Sequence, residues 1–435
     1  MVKKQEYPAG SRGHNRASGT AIGRNSTRGH ESLKCAYSFN SFKIAMLKQT
    51  FLTSAAVAAL ALPALADKAD ASRQATLERL GQTLFFDPGL SSPAGQSCAT
   101  CHAADAAFTD PDRNLPVSRG VLPGRSGNRN TPTAMYAQFS PDFHFDKDEE
   151  HYVGGQFWDG RAATLEEQAK GPFLNPLEMA NPDKASVVEK VRRAAYAADF
   201  DAAFGPAALA DTDQAFERIA QAIAAFERTR QFAPFTSKYD AYLAGKATLT
   251  AQEKRGLRLF EDEKKGNCAA CHPSQRGPDG APPLFTDFTY DNLGIPRNPH
   301  NPFYKLPPEL NPAGAKFVDL GLGGALNQRE QDGKFKVPTL RNIALTAPYM
   351  HNGYFKTLRG SVVFYNDRDK KPRCKSGLVP EATALKQQCW PAPEVAANVN
   401  DEELGKLGLT DREIDDIVAF MHTLTDGWEP PTRKR

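Results

Sequence analysis

The sequence predicts a mainly α-helical protein of two related halves joined by long irregular loops, and three observations lead there. Stretches such as Ala185–Phe200 and Asp213–Arg228 place apolar residues at three- and four-residue spacing, with Asp211 and Asp213 available as N-caps; no alternating strand pattern of useful length appears. A second observation is a pattern that occurs twice, Cys98-Ala99-Thr100-Cys101-His102 and Cys268-Ala269-Ala270-Cys271-His272, with the histidines 170 positions apart. The third is that each copy follows a similar segment, Gly81-Gln82-Thr83-Leu84-Phe85 or Gly256-Leu257-Arg258-Leu259-Phe260. Motif and flank repeating together mark an internal duplication.

Taken from the N-terminus, residues 1–45 are polar, rich in Gly, Ser and Arg, and lie upstream of Met46, which reads as a mis-assigned start. Residues 46–66 then carry Lys48, an apolar run from Phe51 to Leu65 and an Ala64-Leu65-Ala66 end, the pattern of a secretory signal cleaved after Ala66. A membrane anchor is the alternative, but the run is short and Pro63 interrupts it. The whole chain has a formal charge of +3; nine Lys/Arg against Glu6 and Glu31 fall in 1–66, so the remainder is about −4. A mildly acidic body without a basic stripe argues against nucleic acid, and no further apolar run is long enough to span a membrane. With 435 residues, 40% of them hydrophobic, the chain can bury more than one core.

Gly245 and Thr248-Leu249-Thr250 precede a fresh helical pattern, which sets a boundary between residues 67–247 and 248–435. Residues 273–316 hold ten prolines, too many for helix or central strand. This segment is expected as a long loop that either wraps something or runs over the surface.

Cys-x-x-Cys-His suits covalent haem c attachment, because two thiols add across the porphyrin vinyl groups while the adjacent His ligates iron, and all three must share one short turn. Zinc would want four ligands in paired spacings, and a thioredoxin-like pair would not need the histidine. Two haems c are therefore expected, held by Cys98, Cys101 and His102 and by Cys268, Cys271 and His272. The sixth ligand separates an electron carrier from an enzyme. Residues 103–134 contain no His, Met or Lys to close the first iron, and Met135, His144 and His151 are the nearest alternatives.

The segment Gln156-Phe157-Trp158-Asp159-Gly160-Arg161-Ala162-Ala163-Thr164-Leu165-Glu166-Glu167-Gln168, followed by Gly171-Pro172 and Asn175-Pro176-Leu177-Glu178-Met179, resembles the bacterial dihaem cytochrome c peroxidase and MauG family. So does Pro338-Thr339-Leu340-Arg341-Asn342, leading to Thr346-Ala347-Pro348-Tyr349-Met350-His351-Asn352-Gly353. The resemblance spans about residues 72–427 and implies two cytochrome c-like domains with the active site between them, the N-terminal haem peroxidatic and the C-terminal haem exchanging electrons. It implies that Trp158 lies between the haems, that Gln168 and Glu178 form the distal polar pair, and that Pro172 adjoins them. Glu178 is then the general acid–base that moves a proton between the oxygens of peroxide. The same resemblance makes Asn130, Thr346 and Pro348 ligands of a calcium ion, whose preference is for hard oxygen donors.

Two departures from the family matter. Typical dihaem peroxidases carry a capping histidine on the loop after the first haem, where this chain has Gly120-Val121-Leu122-Pro123-Gly124. They also carry a methionine as distal ligand of the second haem, where this chain places Tyr365, as the MauG-like subset does. Anionic oxygen favours oxidised iron whereas a thioether raises the potential, so Tyr365 implies a second haem that is hard to reduce; Met350 is the rival ligand. Cys374 and Cys389 remain, either bridged across a loop worth about 3 kcal/mol in chain entropy or present as free thiols.

Three functions are compatible with the sequence. One is a periplasmic peroxidase that reduces hydrogen peroxide with electrons from a small cytochrome c or cupredoxin. Another is a MauG-like enzyme that oxidises side chains of a partner protein, and the third is a dihaem electron carrier without enzymatic activity.

Overall fold

A helix near the start of each half crosses a later helix at a glycine, and this pair of crossings organises the protein. The computed structural model describes residues 70–277 and 280–430, so the segments read as start and signal (1–45 and 46–66) lie outside the described residues. Residues 70–86 form α1, and α6 (Thr212–Glu227) packs on it so closely that a Cβ on Gly81 would stand 1.8 Å from the Ala222 carbonyl oxygen. In the second half α8 (Ala251–Glu261) meets α12 (Asp411–His422) in the same way, with a Cβ on Gly256 falling 1.9 Å from the Asp416 oxygen. Phe85 then contacts Phe226 edge-on at 5.5 Å, and Phe260 contacts Phe420 at 5.2 Å. The duplicated Gly-x-x-Leu-Phe flank is thus a helix-crossing motif, with the glycine admitting the neighbouring backbone and the phenylalanine filling the core. Gly256→Ala should destabilise the fold by about 1–3 kcal/mol through overpacking, read as a lowered unfolding midpoint. An unchanged midpoint would mean that the two helices can part without loss.

Most helix starts follow from local capping. Thr250 and Thr410 each open α8 and α12 through a capping box with Glu253 and Glu413. Asp211 caps α6 as expected, whereas Asp213 lies inside it. The predicted single helix over 185–200 is instead two, α4 (Lys184–Arg192) and α5 (Ala197–Phe204). At about 100° per residue a continuous helix would point Val191 and Phe200 in opposite directions. The break at 193–196 lets both side chains reach the core, where each is fully buried.

Two apolar cores result, one from buried residues between Leu80 and Ala233, the other from Tyr239 to Leu424. Sheet structure among the described residues is confined to two short antiparallel pairs, β1 (His144–Asp146) with β2 (His151–Val153), and β3 (Tyr290–Asp291) with β4 (Phe335–Lys336). The proline-rich segment bonds to both halves: from buried side chains Asn301 donates to the Asn128 carbonyl in the first, and Asn298 to the Asn352 carbonyl in its own half. Arg341 forks onto Asp240 with two bonds of 2.9 Å, and Arg129 pairs with Asp159 at 2.6 Å and with Asp319 at 2.7 Å. Cys374 and Cys389 are joined in a disulfide.

Candidate active site

The two Cys-x-x-Cys-His turns are built alike. Cys98–Cys101 is a single helical turn, α2, whose N–H from His102 closes back on the Cys98 carbonyl at 2.9 Å; His272 closes on Cys268 over the same distance. The His102 Nδ1 sits 2.9 Å from the Phe108 carbonyl oxygen and the His272 Nδ1 2.8 Å from that of Phe285. A ring nitrogen facing a carbonyl must carry the proton, so Nε2 of each histidine keeps a lone pair for iron. Burial pulls the pKa of both histidines down and so favours this neutral form. The four thiols are unpaired, and burial pushes those of Cys101, Cys268 and Cys271 up to about 12. Among the described residues no group of three His, Cys, Asp or Glu converges as a metal set, which leaves the zinc reading without its ligands. Donor types, shared turn and tautomer all suit haem c.

The duplication extends beyond these turns. The Thr133 hydroxyl donates to the Ala107 carbonyl and that of Thr339 to Leu284, each at 2.6 Å, so each half fixes the peptide before its Phe108 or Phe285 in the same way.

In the first half α3 (Leu165–Leu174), packed on α6, carries Gln168 and Pro172, both half-buried. Pro172 has no N–H, so the Gln168 carbonyl lacks its usual helical donor. The chain then turns and presents Glu178. Its Oε1 accepts a 2.8 Å hydrogen bond from Asn175 Nδ2, and its charge is felt by Cys98 and Cys101, which puts it on the side of the first attachment turn. Burial raises the Glu178 pKa above the ordinary carboxylate range, against the opposing influences of Arg161 and Asn175. The loop in which the family's capping histidine would lie is fastened to this same segment. Val121 N–H donates to the Glu178 carbonyl at 2.9 Å, and a Cβ on Gly120 would stand 2.3 Å from the Leu177 oxygen, so only glycine fits.

The alternative ligands for the first iron are engaged elsewhere. Met135 Sδ is 3.2 Å from the Asn342 amide, His144 is exposed with its Nδ1 2.7 Å from the Asp142 carbonyl, and His151 faces Asp146 across the hairpin.

A large, mostly apolar cavity opens at the second turn, bounded by Cys268, Cys271 and His272 and also by Trp158, Met350 and Tyr365. Tyr365 projects from α10 (Leu358–Asp367) close enough for Cys271 and Cys268 to influence it. Burial raises its phenol well above the ordinary tyrosine range, and its hydroxyl makes no hydrogen bond among the described residues. Such a phenol ionises only against a strong positive charge, and an iron centre is one. Trp158 donates its indole N–H to the Asn130 carbonyl at 2.8 Å, while Asn130 N–H donates to the His351 carbonyl at 2.7 Å. Asn130, Thr346 and Pro348 share this cavity wall, and the Asn130 amide nitrogen is spent on the Pro116 carbonyl, which leaves Oδ1 for another partner.

The sequence reading missed Asn175 and Arg161. Asn175 lies within the motif quoted for Glu178. Arg161 stacks 3.6 Å over the Phe157 ring, and that ring's far edge lies 3.3 Å from where a Gly171 Cβ would sit, so the arginine is carried to the distal group by aromatic packing.

Fold and site together define a mainly helical oxidoreductase with two cytochrome c-type haem attachment sites. A family model described as di-haem cytochrome c peroxidase matches residues 75–248. The methylamine utilization protein MauG of Paracoccus denitrificans is 43% identical over 378 residues, 85% of this chain and 93% of that protein. The cytochrome c551 peroxidase of Pseudomonas aeruginosa is 31% identical over 349 residues, 80% of this chain and 78% of that one. Among solved structures, the diheme peroxidase BthA of Burkholderia thailandensis superposes with a TM-score of 0.69 at 34% identity, covering 81% of this chain and 86% of that one. The chain belongs to the di-haem cytochrome c peroxidase family and resembles its MauG-like members. It is a peroxidase-like enzyme, and two haems c are the cofactors that its family implies.

Proposed function

We propose that the protein reduces hydrogen peroxide to water in the periplasm, with electrons delivered by a small cytochrome c or cupredoxin. The observation that carries this reading is Glu178, a half-buried carboxyl of raised pKa held by Asn175 on the side of the first attachment turn. Cys98, Cys101 and His102 would hold a haem in the domain of residues 67–247, and Cys268, Cys271, His272 and Tyr365 the other in 248–435. The haems supply the iron that meets peroxide and stores the oxidising equivalents. Glu178 takes a proton from one peroxide oxygen and returns it to the other, Gln168 and Pro172 shape the space around it, and Trp158 relays electrons between the two sites. Asn130 Oδ1 with the Thr346 and Pro348 carbonyls suits a calcium ion that braces the wall between them. The signal read over 46–66 supports export, and among the described residues no helix is long and apolar enough to cross a membrane.

A second reading, oxidation of side chains on a partner protein, is favoured by Tyr365 in the second cavity. A phenolate there would lower the potential of a haem held at that site and favour its oxidised form. Tyr365→Met is expected to raise the second haem's potential and shift the enzyme toward ordinary peroxidase behaviour. Redox titration of both proteins decides the matter, since equal, high potentials would remove Tyr365 as a ligand and the partner-protein reading with it.

A further inference from the structure

A cation is built into the wall of the second cavity, beside Trp158. Lys336 ends β4, and its backbone N–H donates to the Trp158 carbonyl at 2.9 Å. Its Nζ donates to the Gly155 carbonyl and lies 3.4 Å from the Ser140 hydroxyl, both from the other half of the chain. Lys336, Ser140 and Trp158 line the cavity that also contains Cys268, Cys271 and His272.

Among the described residues no carboxylate pairs with this ammonium. Asp159 is the acid whose field reaches it, and Asp159 is already bound by Arg129 at 2.6 Å and Arg161 at 2.8 Å. Asp319 is taken by Arg129, and Tyr290, on the paired strand, gives its hydroxyl to the Gly154 carbonyl and is kept protonated by burial. Burial without a paired anion penalises the charged form, and the lysine is pulled down to about 7.

We propose that Lys336 is a positioning residue of the electron path, which releases and takes up a proton in the wall beside Trp158 and thereby sets how readily the second haem yields an electron. As one electron leaves that haem for the first site, one proton leaves the Lys336 ammonium for solvent. When the donor returns the electron, the proton returns as well, so the net charge of the wall region is restored at each turn. A neutral amine favours the more positive, oxidised haem, and the ammonium favours the reduced one. The potential therefore falls as pH rises through the lysine's pKa.

The test is a spectroelectrochemical titration of the second haem in the holoprotein from about pH 5.5 to 9, for wild type, Lys336→Arg and Lys336→Met. The wild-type potential should fall near neutrality. Lys336→Arg, which stays charged throughout, should hold the high acid-side value, and Lys336→Met should hold the low alkaline-side value. A wild-type potential that does not move with pH overturns the proposal, as do variants that keep the wild-type pH dependence or shift together in one direction. The proposal rests on the two-haem reading, and haem content, assayed separately for each variant, distinguishes its failure from the failure of that reading.

Discussion

Glu178→Gln should slow peroxide cleavage by about 10²–10⁴, the usual worth of a positioned acid–base group, while leaving both haem spectra near those of wild type. The substitution keeps the amide oxygen that Asn175 can donate to and removes only the ability to take up and return a proton. The pH profile adds a second check. Burial raises the Glu178 pKa, so its ionised, proton-accepting form should appear at a higher pH than for an ordinary carboxylate. In wild type the rate of cleavage should therefore rise with pH through that pKa and be lost as pH falls through it, whereas the Gln variant should show no such limb. Stopped-flow mixing of the diferric protein with peroxide measures both. An unchanged rate would move the proton transfer to water.

Double replacement of either cysteine pair should remove one haem and spare the other. Cys98→Ala/Cys101→Ala takes the covalent anchors from the first site and Cys268→Ala/Cys271→Ala from the second, so a pyridine haemochrome assay should fall from two haems per chain to one. Each turn packs on its own core, Cys98 and Ala99 on the first and Cys268 and Ala269 on the second, so each double replacement should also lower stability. A wild-type protein with one haem, or none, would overturn the two-haem reading for every residue named here.

Some features were readable from the chain because their causes are local. A haem c attachment turn needs five contiguous residues, and a helix start needs a cap with an acid three residues later, as at Thr250 and Glu253. The repeated Gly-x-x-Leu-Phe flank was visible as a repeat, but its purpose was not: the carbonyl of Ala222 or Asp416 that excludes a side chain at Gly81 or Gly256 comes from a distant helix. The division of residues 185–200 into α4 and α5 escaped for a related reason. Each piece has a good helical spacing by itself, and only the position of the core fixes where the phase must be reset.

At the active site the sequence by itself determined which residues can bind haem, and likeness to a known family singled out Glu178, Trp158 and Tyr365. Tertiary structure decided what surrounds them: Asn175 and Arg161 at Glu178, a glycine loop fastened to the Glu178 segment and, among the described residues, a phenol without a hydrogen bond in the second cavity and a lysine without a carboxylate partner beside Trp158. Covalent attachment and capping act over a few bonds, so neighbouring letters specify them. The ionisation of a carboxyl, a phenol or an ammonium depends on how far the folded chain removes it from water and which charges arrive from elsewhere, and both are settled only when the two cores close on one another.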